Sequence, residues 1–152
     1  MNHAPLGWLG ILRLGLVQTA LGAIVVLTTS TLNRVMVVEL ALPAMLPGIL
    51  VAAHYAVQMI RPKFGHGSDV GGRRTPWIVS GMGLLAFSGS MAALATAWMA
   101  TNVVAGSLLA MLAFVLIGAG VGASGTSLLA LLATRVAPER RAAAATIVWL
   151  MM

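Results

Sequence analysis

His54 and Gln58 stand four residues apart in a run, 40–60, that contains no Asp, Glu, Lys or Arg. On a helix that spacing puts an imidazole and a carboxamide on one face. An ionisable side chain inside an apolar helix marks a site to be explained. A neutral imidazole there can ligate the magnesium of a chlorin, donate a hydrogen bond to a substrate, couple to a proton, or lie satisfied between packed helices. Gln18 is the first polar side chain of an earlier uncharged run, 14–33, and suits either an interhelical hydrogen bond or a pigment or substrate contact. The residues alone leave these readings open.

Other chemistries are excluded more firmly. The chain has no cysteine, only three acidic residues, and no paired carboxylates in an apolar stretch. No ligand cluster has metal-site spacing; His66 and Asp69 are close, but a glycine-rich stretch is a poor place to fix a metal. No catalytic or metal site is expected, and the chain does not read as an enzyme. Hydrophobic residues make up 60% and charged residues 8%, against about 25% charged in a soluble domain. So few charges cannot cover a water-facing surface. The net charge of +6 does not indicate nucleic acid, because the bases cluster at the ends of apolar runs without interleaved aromatics. Beside anionic membrane lipids they act as topology determinants.

The elements that must position these residues are membrane helices. The start, MNHAPLGWLGILR, lacks the basic segment of a secretory signal, so the first apolar run is expected to be a retained helix. Twenty residues at 1.5 Å each cross about 30 Å, one hydrocarbon core, so 14–33 fits a span. Gly15 and Gly22 share one of its faces. Arg34 and Glu39 bracket an expected short turn, forming a rim pair, with an inward-facing Glu39 as the other reading. Pro43 and Pro47 precede a second helix over 42–60. The stretch 75–134 holds no charged residue; as one helix it would reach about 90 Å, so it must fold back, with Thr101 and Asn102 marking the turn. Helices follow over 76–97 and 104–133. An apolar segment, 142–152, is too short to span and reads as the incomplete start of a fifth helix in a longer protein. The fold class is all-α, polytopic, with four transmembrane helices plus the start of a fifth.

Within 104–133, Gly118 and Gly122 form a GxxxG pair, and Gly120 and Ser124 a second small-residue pair. Such residues let helices approach to near backbone contact, or line a cavity for a bulky ligand.

The organising stretch is RPKFGHGSDVGGRRTP, 61–76, where Arg61, Lys63, Arg73 and Arg74 supply four of the nine basic residues. Long apolar runs flank it, so it reads as a loop, with Thr75 able to cap the following helix and Pro76 suited to its first turn. Net charge is +3 over 61–74 and +2 over 135–141, and zero over 34–39 and 98–102. By the positive-inside rule the N-terminus and both charged loops are cytoplasmic.

The same loop resembles the signature between helices two and three of the major facilitator superfamily, Gly-x-x-x-Asp-Arg-x-Gly-Arg-Arg/Lys. Gly65, Asp69, Gly72, Arg73 and Arg74 match, and Val70 replaces the first arginine. The resemblance implies a gating loop in which Asp69 caps a helix or pairs with a base on a neighbour, holding one state and releasing in another. The lost arginine removes one charge partner.

A more specific resemblance covers essentially the whole chain. LRLGLVQ, LNRVMVVELALPA, RPKFGHGSD and RRTPW are similar to segments of the PucC-like, LhaA-type family of light-harvesting complex assembly proteins. It implies the N-terminal part of a facilitator-like protein in a bacterial inner membrane, cytoplasmic or intracytoplasmic and photosynthetic. It further implies an assembly factor that binds or delivers bacteriochlorophyll, with antenna polypeptides, the reaction centre or bacteriochlorophyll biosynthesis enzymes as partners. A facilitator-type secondary transporter and a non-catalytic structural subunit beside an antenna complex are the alternatives.

Overall fold

The computed structural model describes residues 5–70 and 73–152, and those residues form helices joined by short connections. The first helix, α1, runs Trp8–Glu39. It is longer than the expected 14–33 at both ends. Arg13 is exposed, so its charge need not end the helix. The expected turn over 34–39 is instead helical, and two wide π turns, Leu27–Thr31 and Val35–Glu39, occupy this end of α1. Thr28 and Thr29 donate their hydroxyls to the carbonyls of Ile24 and Val25, loosening the ladder where the first wide turn begins. Arg34 and Glu39 both stay exposed, where a solvated ion pair gains little, and among the described residues the expected rim pair does not form.

Helix α2 is Met45–Gln58, with Pro47 buried in its first turn, where proline is tolerated. Its 14 residues rise about 21 Å, less than a hydrocarbon core. The connection before it holds Ala41 at φ 52°, a left-handed position. Among the described residues three helices are long and apolar enough to cross a membrane: α1, then α4 at Arg74–Trp98 and α5 at Val103–Arg135. The chain is a multi-pass membrane protein.

The stretch read as a loop is the main correction. Arg61–Val70 forms a ten-residue helix, α3, and α4 begins at Arg74. Pro62 sits in the first turn, where its missing N–H costs nothing. Gly65 and Gly67 serve close packing rather than a turn: a Cβ at Gly65 would lie 3.3 Å from Thr126, and one at Gly67 3.0 Å from the Trp77 ring. Gly72 lies outside the described residues. Arg73 is extended and α4 begins at Arg74, so Thr75 is inside the helix rather than its cap.

Helices α4 and α5 form an antiparallel hairpin, turned where Asn102 Oδ1 accepts the Ala105 N–H at 3.0 Å. A 3-10 turn, Pro138–Arg140, leads to α6, Arg141–Met151. The hairpin core joins Leu85, Ala92, Ala95, Ala110, Phe114 and Ile117, with Leu21 of α1 and Leu50 of α2. A second cluster, including Ile11, Ile78, Leu128, Leu132 and Val148, ties α1, α4, α5 and α6. Large apolar side chains such as Leu16, Phe87, Leu94 and Leu108 point outward, as lipid-facing positions do.

One end of the bundle collects the N-terminal segment and both basic connections. The Leu6 N–H donates to the Arg135 carbonyl at 2.8 Å, and the Arg140 guanidinium stands 5.8 Å from the Trp8 ring centroid. Arg74 reaches Thr134 at the same end.

Candidate functional site

Gln18, on α1, and the His54–Gln58 pair, on α2, occupy separate places. Gln58 joins Arg61 to His54. Arg61 donates to Gln58 Oε1, which orients the amide so that Gln58 Nε2 donates to His54 Nε2 at 2.6 Å. His54 Nε2 is thereby an acceptor, the neutral tautomer carries its proton on Nδ1, and that buried atom has no hydrogen-bond partner among the described residues. The ring is 0% exposed and meets Tyr55 edge-on at 4.9 Å between centroids. The His54 carbonyl lies against α5, where a Cβ at Gly118 would come within 2.5 Å of it.

Gln18 is 3% exposed and packs against α6. Its Nε2 donates to Met152 Sδ at 3.0 Å, while Oε1 is buried without a partner. Beside it, the Thr19 hydroxyl donates to the Met151 carbonyl at 2.7 Å. Gly15 and Gly22 face the same two methionines, so the polar and small residues of this face serve the α1–α6 contact.

A planar macrocycle needs an open face beside its ligand. His54 has none, since Nε2 is taken by Gln58 and the residue is fully buried. Gln18 is closed over by Met152. As packed, these residues do not fit a chlorin. Among the described residues, no group of three or more His, Cys, Asp or Glu could share a metal ion.

The small residues of α5 divide between two faces. Gly118 and Gly122 receive α2 and α3: a Cβ at Gly122 would lie 3.0 Å from the Phe64 ring. Gly120 and Ser124 receive α4, where a Cβ at Gly81 would lie 2.7 Å from the Ser124 amide nitrogen.

The loop residues assemble at the α3–α4 junction. Arg74 donates to Asp69 Oδ1 from Nη2 at 2.6 Å and from Nε at 3.1 Å. Its Nη1 donates to the Ala130 carbonyl at 2.7 Å and to Thr134 Oγ1 at 2.5 Å. One guanidinium therefore fastens α3, α4 and α5 together. Gly65 sits on the α5 side of α3, and Arg73 is exposed in the extended approach to α4. Ala130, Thr134 and Arg135 belong to this site although no local spacing links them to Arg74. They stand 56 and more residues further along the chain.

The family described as PUCC protein matches residues 31–152. A Rhodobacter capsulatus protein named "Bacteriochlorophyll synthase 44.5 kDa chain" is 60% identical over 147 residues, covering 97% of this chain and 34% of that protein. Proteins named PucC from Rhodobacter capsulatus and Rhodovulum sulfidophilum are each 37% identical over 147 residues, covering 85% of this chain and 31% of theirs. The chain thus spans about a third of the length of these curated relatives. No solved structure gives a significant match. With most of its length inside the match, the chain belongs to the PUCC protein family.

Proposed function

We propose that the chain is the N-terminal part of a facilitator-like assembly factor for light-harvesting antenna complexes in a bacterial photosynthetic membrane. In this reading the whole protein handles bacteriochlorophyll as cargo. The observation that carries it is the 60% identity, along nearly all of the chain, to a relative whose name refers to bacteriochlorophyll. The lipid-facing helices of the bundle suit a carrier of an apolar cargo. The role is non-catalytic, in keeping with the family.

His54 with Gln58, and Gln18, form two separate polar points, each closed in the packed bundle. Antenna polypeptides are the proposed partners, with the reaction centre or pigment biosynthesis enzymes next. The basic end, with the N-terminus, is proposed to be cytoplasmic on its charge.

Inactivating the gene in a photosynthetic host and recording near-infrared spectra of its membranes tests the proposal. The expected result is loss of antenna absorption that the restored gene recovers. Antenna absorption at the parental level would overturn it.

One observation favours a second reading, facilitator-type transport. Arg74 joins α3, α4 and α5 at one end through Asp69, Ala130 and Thr134, and its contact with Asp69 resembles a latch that opens between states. Substrate uptake into sealed vesicles would support it; flat uptake across chemically varied substrates would count against it.

A further inference from the structure

Two recesses meet at Val79, and their linings differ in kind. The first is a cavity of about 800 Å³ at the basic end, whose lining includes Arg73, Arg74, Arg135, Asp69, Thr134 and Val79. The second is an open groove of about 400 Å³ between α1 and α4, lined by Leu16, Val17, Ala20, Ile78, Met82 and again Val79. Every side chain of the groove is apolar.

The charge of the cavity is unbalanced. Asp69 is committed to Arg74. Among the described residues Arg73 and Arg135 have no acidic partner, and Arg135 Nε is buried with no hydrogen-bond partner at all. An uncompensated guanidinium at the edge of an apolar phase attracts an anion strongly. The groove answers a different need. It runs from the level of Val79 to that of Met82, which lies about 12 Å beyond Arg74 along α4. Val79 lines both recesses and is 65% exposed, so they lie side by side on the protein surface.

We propose that the two recesses hold one anionic phospholipid, its phosphate among Arg73, Arg74 and Arg135 and an acyl chain past Val79 between α1 and α4. A free phosphate would use the cavity and leave the groove unused. A zwitterionic lipid would bring a cation towards two unpaired arginines. A negatively charged head with a hydrocarbon tail matches both linings and their order along α4. The lipid then seals the edge of the α1–α4 contact and sets the depth of the basic end at the membrane surface.

The test is native mass spectrometry of the intact protein, stripped of lipid in a neutral glycoside detergent. It is titrated with phosphatidylglycerol and phosphatidylcholine of identical acyl chains. The expected result is one retained phosphatidylglycerol, preferred by about fivefold for each unpaired arginine. Arg73→Gln with Arg135→Gln should abolish that preference. Ala20→Trp, at an exposed groove position, should weaken both lipids while leaving the arginines in place. Millimolar inorganic phosphate should not displace the lipid. Equal retention of the two lipids, a preference that survives the paired arginine substitutions, or unchanged binding in Ala20→Trp would each overturn the proposal. Displacement by inorganic phosphate would also overturn it, by reassigning the cavity to a free anion.

Discussion

Arg74 gives both Nε and Nη2 to a single oxygen of Asp69, at 3.1 and 2.6 Å, and keeps Nη1 for α5. The two partners are unequal. The Asp69 side chain is 56% exposed and the Arg74 side chain 20%. An exposed ion pair contributes about 0.2–1 kcal/mol, whereas a half-buried cation hydrogen-bonded to a helix carbonyl contributes about 1.5–3 kcal/mol. Asp69→Asn should therefore cost little stability and Arg74→Ala clearly more. Arg74→Lys should resemble alanine more than wild type, since an ammonium lacks the fork that reaches both helices. Thermal unfolding of the three variants in detergent checks the order. Equal losses for Asp69→Asn and Arg74→Ala would show that the contact with α5 contributes nothing.

The α4–α5 hairpin supplies its own control. A Cβ at Gly120 would lie 2.9 Å from the Gly81 carbonyl oxygen and 3.0 Å from the Leu85 amide nitrogen, and neither backbone atom can yield. A Cβ at Gly83, on the same hairpin, meets nothing within 4 Å. Gly120→Ala should destabilise by about 1–3 kcal/mol. Gly83→Ala should be neutral or stabilising by up to about 1 kcal/mol, from helix propensity alone. Melting temperatures of the two variants decide it.

Much of this fold was legible in the uncharged runs. The lengths of 76–97 and 104–133 and the polar pair Thr101–Asn102 locate the hairpin because chain length against bilayer thickness leaves few alternatives. The stretch 61–70 was not legible in the same way. Its glycines signal a loop by composition, yet Gly65 and Gly67 are small because Thr126 and Trp77 press on them, which only tertiary contact reveals. Arg34 and Glu39 misled for a related reason: a charge near the end of a helix looks like a terminus, but exposed charges tolerate a helix that runs on. Of the candidate site, the loop left Asp69 either to cap a helix or to pair with a base on a neighbour, and neither Arg74 as that base nor its anchor on Ala130 and Thr134 follows from local spacing.

The His54–Gln58–Arg61 chain makes a third test. Gln58→Leu removes the only partner of a buried imidazole nitrogen and should cost about 1–3 kcal/mol. Adding His54→Leu removes the orphaned group itself, so the double variant should recover most of that loss. Denaturation in detergent of the single and double variants reads the coupling. Additive losses would mean that the two side chains do not depend on each other.

Because the His54 ring is enclosed, His54→Phe should leave pigment content unchanged in any protein that retains pigment. Extraction and absorption of the variant beside the wild type measures this. Loss of pigment with an intact fold would place a macrocycle on α2 and require that helix to part from α5.

The most direct measurement is an absorption spectrum with pigment extraction on the intact protein, purified in mild detergent from its photosynthetic host. Stoichiometric bacteriochlorophyll, or a late precursor of it, is the result expected of an assembly factor that carries pigment. A colourless, monodisperse protein would contradict that role and turn attention to uptake in sealed vesicles.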